Sequence, residues 1–131
     1  MAIRSIPRLE EDKTLYDLFM PRGETANLYI QMATRVYGDG DTFTDTPWPF
    51  ELGDTVYFTV KDNRGALLMQ KVITTFTEDG YANIPILPAD TASKKAYTYT
   101  YDIRVKKANG AVLTVAYSAV FELEPVQSEI P

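Results

Sequence analysis

The chain of 131 residues has no cysteine and no histidine. Without cysteine there is no disulfide framework and no thiolate metal site. Without histidine the commonest general base and the commonest transition-metal ligand are missing, so Ser-His-Asp and Cys-His arrangements are excluded. Long apolar runs are missing as well. Nothing approaches the ~18 consecutive apolar residues of a membrane-spanning helix. The N-terminal stretch MAIRSIPRLEEDKTL contains no continuous apolar segment of the signal-peptide kind. The protein is therefore expected to be made and kept in a cytoplasm, or to leave it by lysis. Basic residues are in the minority, 13 against 18 acidic, giving a formal net charge of -5 with the charges scattered. Such a surface solubilises and suits neither a phosphate backbone nor an anionic lipid face, so no nucleic acid and no membrane is expected as a partner.

What is present is alternation. In Ala96–Val105, AYTYTYDIRV, residues Tyr97, Tyr99, Tyr101, Ile103 and Val105 fall on one side of an extended strand. Thr98, Thr100, Asp102 and Arg104 fall on the other, as the two-residue period of a strand requires. Asn109-Gly110 then separates this run from a second one, and Asn-Gly between alternating runs predicts a hairpin turn with both central residues at positive φ. In the second run Leu113, Val115, Tyr117, Phe121 and Leu123 are expected to face one way.

The rest of the chain follows the same logic. Leu15–Met20 and Thr25–Val36 predict the first two strands, joined by a turn at Pro21-Arg22-Gly23-Glu24. Tyr37–Phe50, dense in Gly, Asp, Thr and Pro, predicts a long loop. Asp54–Lys61 predicts a strand with Val56, Phe58 and Val60 inward. Ala66–Phe76 carries two competing apolar faces that a bulge would reconcile. Tyr81–Leu87 predicts a strand with Ala82, Ile84 and Ile86 inward, and its Pro85 marks an edge or a bulge. Leu87–Lys95 holds the one expected helical turn, capped by Asp90 or Thr91. These elements predict an all-β chain: an immunoglobulin-like antiparallel β-sandwich of about seven strands with one short helical turn. Its expected divisions are an extended N-terminal arm (1–14), the sandwich (15–124) and a C-terminal tail (125–131).

Three stretches carry a resemblance. They are Pro21-Arg22-Gly23-Glu24-Thr25; Leu52-Gly53-Asp54-Thr55-Val56-Tyr57-Phe58-Thr59-Val60-Lys61; and Asp79-Gly80 with Ile84-Pro85-Ile86-Leu87-Pro88-Ala89-Asp90-Thr91-Ala92, continuing through Tyr99–Val105 to Asn109-Gly110. In this order and spacing they resemble the small immunoglobulin-like domain at the N-terminus of phage baseplate upper proteins, found with related virion proteins in phages and prophages of Gram-positive bacteria. The likeness spans Leu15–Leu123. The departures are Glu24 where the family commonly has Asp, Phe50-Glu51-Leu52-Gly53 where it often has a Leu-Thr-Gly approach, and a longer Tyr37–Phe50 loop. No helix or fibre domain is expected after Pro125, another departure from the family. The resemblance implies a non-enzymatic structural protein of a virion, assembled in the host cytoplasm. It leaves open the baseplate, a tail-fibre attachment or head decoration.

The expected partners are other virion proteins and further copies of the chain, with no cofactor and no catalytic residue. Candidate assembly contacts are Ile3, Ile6 and Leu9 in the arm, Trp48 and Phe50 in the loop, and Val126 and Ile130 in the tail. Trp48, held between two prolines, is either such an anchor or a cover over the end of the sandwich. Asp39, Asp41 and Asp45 suit either a solvated turn or a hard cation. A carbohydrate-binding module is the alternative function, with Tyr97, Tyr99 and Tyr101, or Trp48, as a stacking platform. The competing place for the tyrosines is the core, with hydroxyls at the rim. Paired acids such as Glu10 and Glu11, or Asp39 and Asp41, are the sole starting point for an enzyme reading.

Overall fold

The computed structural model describes residues 2–5, 17–40 and 42–126. In chain order they form strands β1 (Ala2–Ser5), β2 (Leu18–Pro21), β3 (Ala26–Ile30), β4 (Met32–Tyr37), β5 (Phe43–Trp48), β6 (Thr55–Lys61), β7 (Leu67–Ile73) and β8 (Ala82–Ile86). The helical turn α1 (Pro88–Thr91) follows, then the long pair β9 (Tyr97–Lys106) and β10 (Val112–Glu124). The fold is all-β and sandwich-like, with ten strands among the described residues where the sequence pattern predicts about seven.

The organising strand behaves as its alternation requires. Tyr99, Tyr101, Ile103 and Val105 are buried, while Tyr97, at the strand's start, stays partly exposed. β9 lies at the centre of a five-stranded sheet ordered β2-β10-β9-β6-β7, antiparallel except where β2 runs parallel to β10. The inner face of β6 adds Val56, Phe58 and Val60, all fully buried. Against this face lie Leu28 and Ile30 of β3 and Ala82, Ile84 and Ile86 of β8, paired as a two-stranded sheet. Phe58 packs between Tyr101 and Phe121 with ring centroids 5.4 and 6.4 Å away, and this aromatic group is the middle of the core.

Four expectations need correction. Phe43–Trp48 is a strand rather than loop: β5 pairs with β4, and β1 covers the other side of β4, making a sheet ordered β1-β4-β5. Pro47 is tolerated because β5 is an edge, where the missing amide hydrogen leaves no ladder bond unmade. Thr25–Val36 likewise divides at Gln31 into β3 and β4, which belong to different sheets. The Asn109-Gly110 turn has one residue at positive φ, Gly110 at 93°, so it is a turn closed by a glycine bulge and not the two-residue kind. Finally, the N-cap of α1 is Leu87, and Asp90 reaches back to accept the Leu87 amide at 2.7 Å. Thr91 is buried, its hydroxyl oxygen accepting the Gly23 amide.

Two expectations about irregularity are met. The β6–β7 pairing slips by one residue between Val60–Met69 and Lys61–Leu67, leaving Leu68 as the bulge that reconciles the two apolar faces. Pro85 sits on β8, which pairs on one side alone. In β10 the register shifts twice between Thr114 and Ala119, so Ala116 and Ala119 turn inward and the odd-numbered alternation is interrupted. Val115 and Tyr117 lie outside the residues whose side chains are described.

Asp62–Ala66, Thr77–Tyr81 and Lys107–Ala111 are one design used three times. The first residue donates its amide to the carbonyl of the fifth and accepts from the amide of the fourth, a glycine. Gly65, Gly80 and Gly110 take φ of 82°, 79° and 93° there, where a Cβ is strained. Their surroundings differ. Nothing lies near a Cβ built on Gly65, whereas one on Gly80 would meet the Pro49 Cβ at 2.2 Å and Cα at 2.7 Å. The Phe50 amide also donates to the Gly80 carbonyl. Gly65→Ala should therefore cost on the order of 1–2 kcal/mol, and Gly80→Ala at least about twice that. Urea midpoints of the two variants check the difference, and equal losses would contradict it.

Candidate functional site

The inner face of the large sheet is covered, whereas among the described residues its outer face is not, and pairing register decides what stands side by side there. Tyr57 lies between Val72 on β7 and Arg104 on β9, and Thr59 between Gln70 and Asp102. Lys106 lies between Thr55 and Val112. Apart from Val72 and Thr55 these residues, together with Lys61 and Leu67, line a shallow depression of about 680 Å³. Leu67, Val72 and Val112 are all more than half exposed. Isolated exposed apolar residues are ordinary, whereas several on one sheet face mark a contact surface.

The electrostatics of this face oppose those of the chain. Lys61, Arg104 and Lys106 stand against the single carboxylate of Asp102, so the depression is net +2 while the remainder of the chain carries -7. Asp102 is engaged, accepting the Ser118 amide at 3.1 Å. The Gln70 amide donates to the Thr59 hydroxyl at 3.0 Å. A second depression, about 420 Å³ between the end of β7 and β8, is lined by threonines, Phe76, Tyr81, Asn83 and Pro85 without a charged group. It offers little to select a ligand.

At the end of β6 the turn Glu51-Leu52-Gly53-Asp54 projects outward. The Asp54 amide donates to the Glu51 carbonyl at 3.0 Å, and Gly53 takes φ 96° in the place a type II turn reserves for glycine. Leu52 is 94% exposed, the most exposed large apolar side chain among the described residues. The turn is anchored beneath. The Asp54 carboxylate is buried and accepts the Lys107 ammonium at 2.6 Å, the Glu51 amide at 2.9 Å and the Ala108 amide at 3.0 Å. Burial alone would raise its pKa; the Lys107 ammonium and the two amides outweigh that and hold the carboxyl below the usual range. The same ammonium lies 4.7 Å over the Trp48 ring, a cation–π contact.

The sequence-expected contacts scatter. Trp48 is half-buried against the core under Lys107, so of its two expected places it takes the cover over the end of the sandwich. Phe50 is buried and stacked on Phe76 at 5.1 Å. Ile3 sits on β1, opposite Thr34 of β4, so part of the expected arm is a strand of the chain's own small sheet. Val126 is half-buried just beyond β10. Ile6, Leu9 and Ile130 lie outside the described residues, as do Glu10, Glu11 and Asp41. Asp39 is exposed, the Asp45 side chain is outside those described, and no group of three or more acids is placed to hold a metal among the described residues. The tyrosine ladder belongs to the core: the buried Tyr99 hydroxyl donates to the Lys95 carbonyl at 2.6 Å, and Tyr97 packs edge-on against the Tyr99 ring.

Sequence reasoning placed Arg104 and Asp102 on the solvent side of β9, and Leu52 within a motif, but did not join them into a surface. Comparison of the chain with protein-family models and with curated proteins finds no match.

Proposed function

We propose that this chain is a non-enzymatic structural protein of a phage virion, acting through protein–protein assembly at the baseplate, a tail-fibre attachment or the head. The observation that carries the assembly part is the outer face of the large sheet. It sets exposed apolar side chains among cations for which no carboxylate lies within ion-pair distance among the described residues. Protein interfaces combine an apolar centre with a charged rim in this way. The virion part rests on the likeness of the Pro21–Thr25, Leu52–Lys61 and Asp79–Gly110 stretches to baseplate upper proteins.

The carbohydrate reading keeps one exposed aromatic, Tyr97, since Tyr99 and Tyr101 are buried and Trp48 is covered on one side by Lys107. Antibodies raised against the chain should label particles purified from a lysate of the encoding strain, at fixed repeated positions in immunogold electron microscopy. Unlabelled particles, with the chain confined to the soluble fraction, would refute the virion reading.

A further inference from the structure

We propose that the Glu51–Leu52 turn of one copy docks in the cation-lined depression on the outer sheet face of a second copy. The inference deepens the assembly reading and rests on it. Three observations meet here. Leu52 is almost fully exposed, on a turn fixed from below by the buried Asp54–Lys107 pair, so presenting it costs little ordering entropy on binding. The depression offers what a leucine beside a carboxylate would seek: Leu67, Val112 and the Tyr57 ring as floor, with Lys61, Arg104 and Lys106 at hand for Glu51. The charge balance favours a second copy as occupant, since the chain is net -7 outside this +2 surface. Opposed fields of this size raise the encounter rate and set orientation.

Knob and depression are different patches of one chain, so the contact is either reciprocal across a two-fold axis or propagates head to tail into a ring or filament. Glu51 is exposed five residues before the buried Val56, and its backbone amide and carbonyl are both tied to Asp54. Asp102 is the one repulsive group facing it, and its tie to the Ser118 amide holds it in place.

The test is the native mass of the full chain by sedimentation across a concentration series, at ~0.05 M and at ~1 M salt, where the screening length falls to about 3 Å. Self-association is expected at low salt, weakened at least tenfold (roughly) by high salt, by Leu52→Ser and by Arg104→Glu with Lys106→Glu. Adding Glu51→Lys to the Arg104→Glu, Lys106→Glu chain should restore association, a recovery that a merely structural defect would not show. Leu52→Ser removes no buried contact, so its melting temperature should match the parent's. A monomer under every condition overturns the second copy as occupant while leaving the virion reading to the immunogold experiment. Association indifferent to Leu52→Ser or to the charge reversal overturns the docking surface.

Discussion

Asp54→Asn is expected to lower stability by about 3–5 kcal/mol at neutral pH, the range found when one partner of a buried ion pair is removed. The Asp54 side chain is fully buried and the Lys107 side chain nearly so, and the substitution leaves the ammonium without its counter-charge. It also weakens the acceptor for the Glu51 and Ala108 amides. Replacing both partners by apolar residues should restore only part of the loss, because those two part-buried amides would still lack their acceptor. The pH dependence follows from the depressed carboxyl. An unfolded-state aspartate titrates near ~3.9, and the folded value lies below it. The contribution is therefore fully present above the unfolded value and is lost as the pH falls through the folded one. Urea unfolding followed by Trp48, the single tryptophan, measures all of this between about pH 2 and 7. A wild-type profile as flat below pH 4 as that of Asp54→Asn would refute the account.

Phe58→Ala should cost about 3–5 kcal/mol as well, through lost transfer free energy and the cavity left between Tyr101 and Phe121. For a domain of this size that lowers the melting temperature by on the order of 10–20 °C. The neighbouring Tyr57→Ala makes the control. One residue along β6 its side chain points outward, into the depression, so stability should change by no more than about 1 kcal/mol. On the docking proposal Tyr57→Ala instead weakens self-association. Calorimetry of the two variants separates the faces, and comparable losses would contradict the assignment of inside and outside.

Several elements were legible in the sequence because their causes are local. The alternation in Thr55–Lys61, Ala82–Ile86 and Tyr97–Lys106 needs nothing beyond the two-residue period and one buried face. The glycines at 65, 80 and 110 mark turns because a positive φ is a property of the residue itself. Even the bulge at Leu68 was visible as two apolar faces in conflict on one strand. Phe43–Trp48 was not legible. Its Gly, Asp, Thr and Pro neighbours carry loop chemistry, and it is extended because β4 offers it a partner.

The candidate surface lay further out of reach for the same reason. Lys61, Arg104 and Lys106 are brought to one depression by strand pairing across gaps of more than forty residues. The buried Asp54–Lys107 pair, which turns a lysine inward and fixes the Leu52 turn, likewise joins residues 53 apart. Composition and alternation thus determined an all-β chain without thiol or imidazole chemistry and put Tyr99, Tyr101, Ile103 and Val105 on one face. Register and packing decided that this face is the inner one, which charges share the outer one, and that Trp48 is covered while Leu52 is exposed, because these depend on contacts between segments that the sequence places far apart.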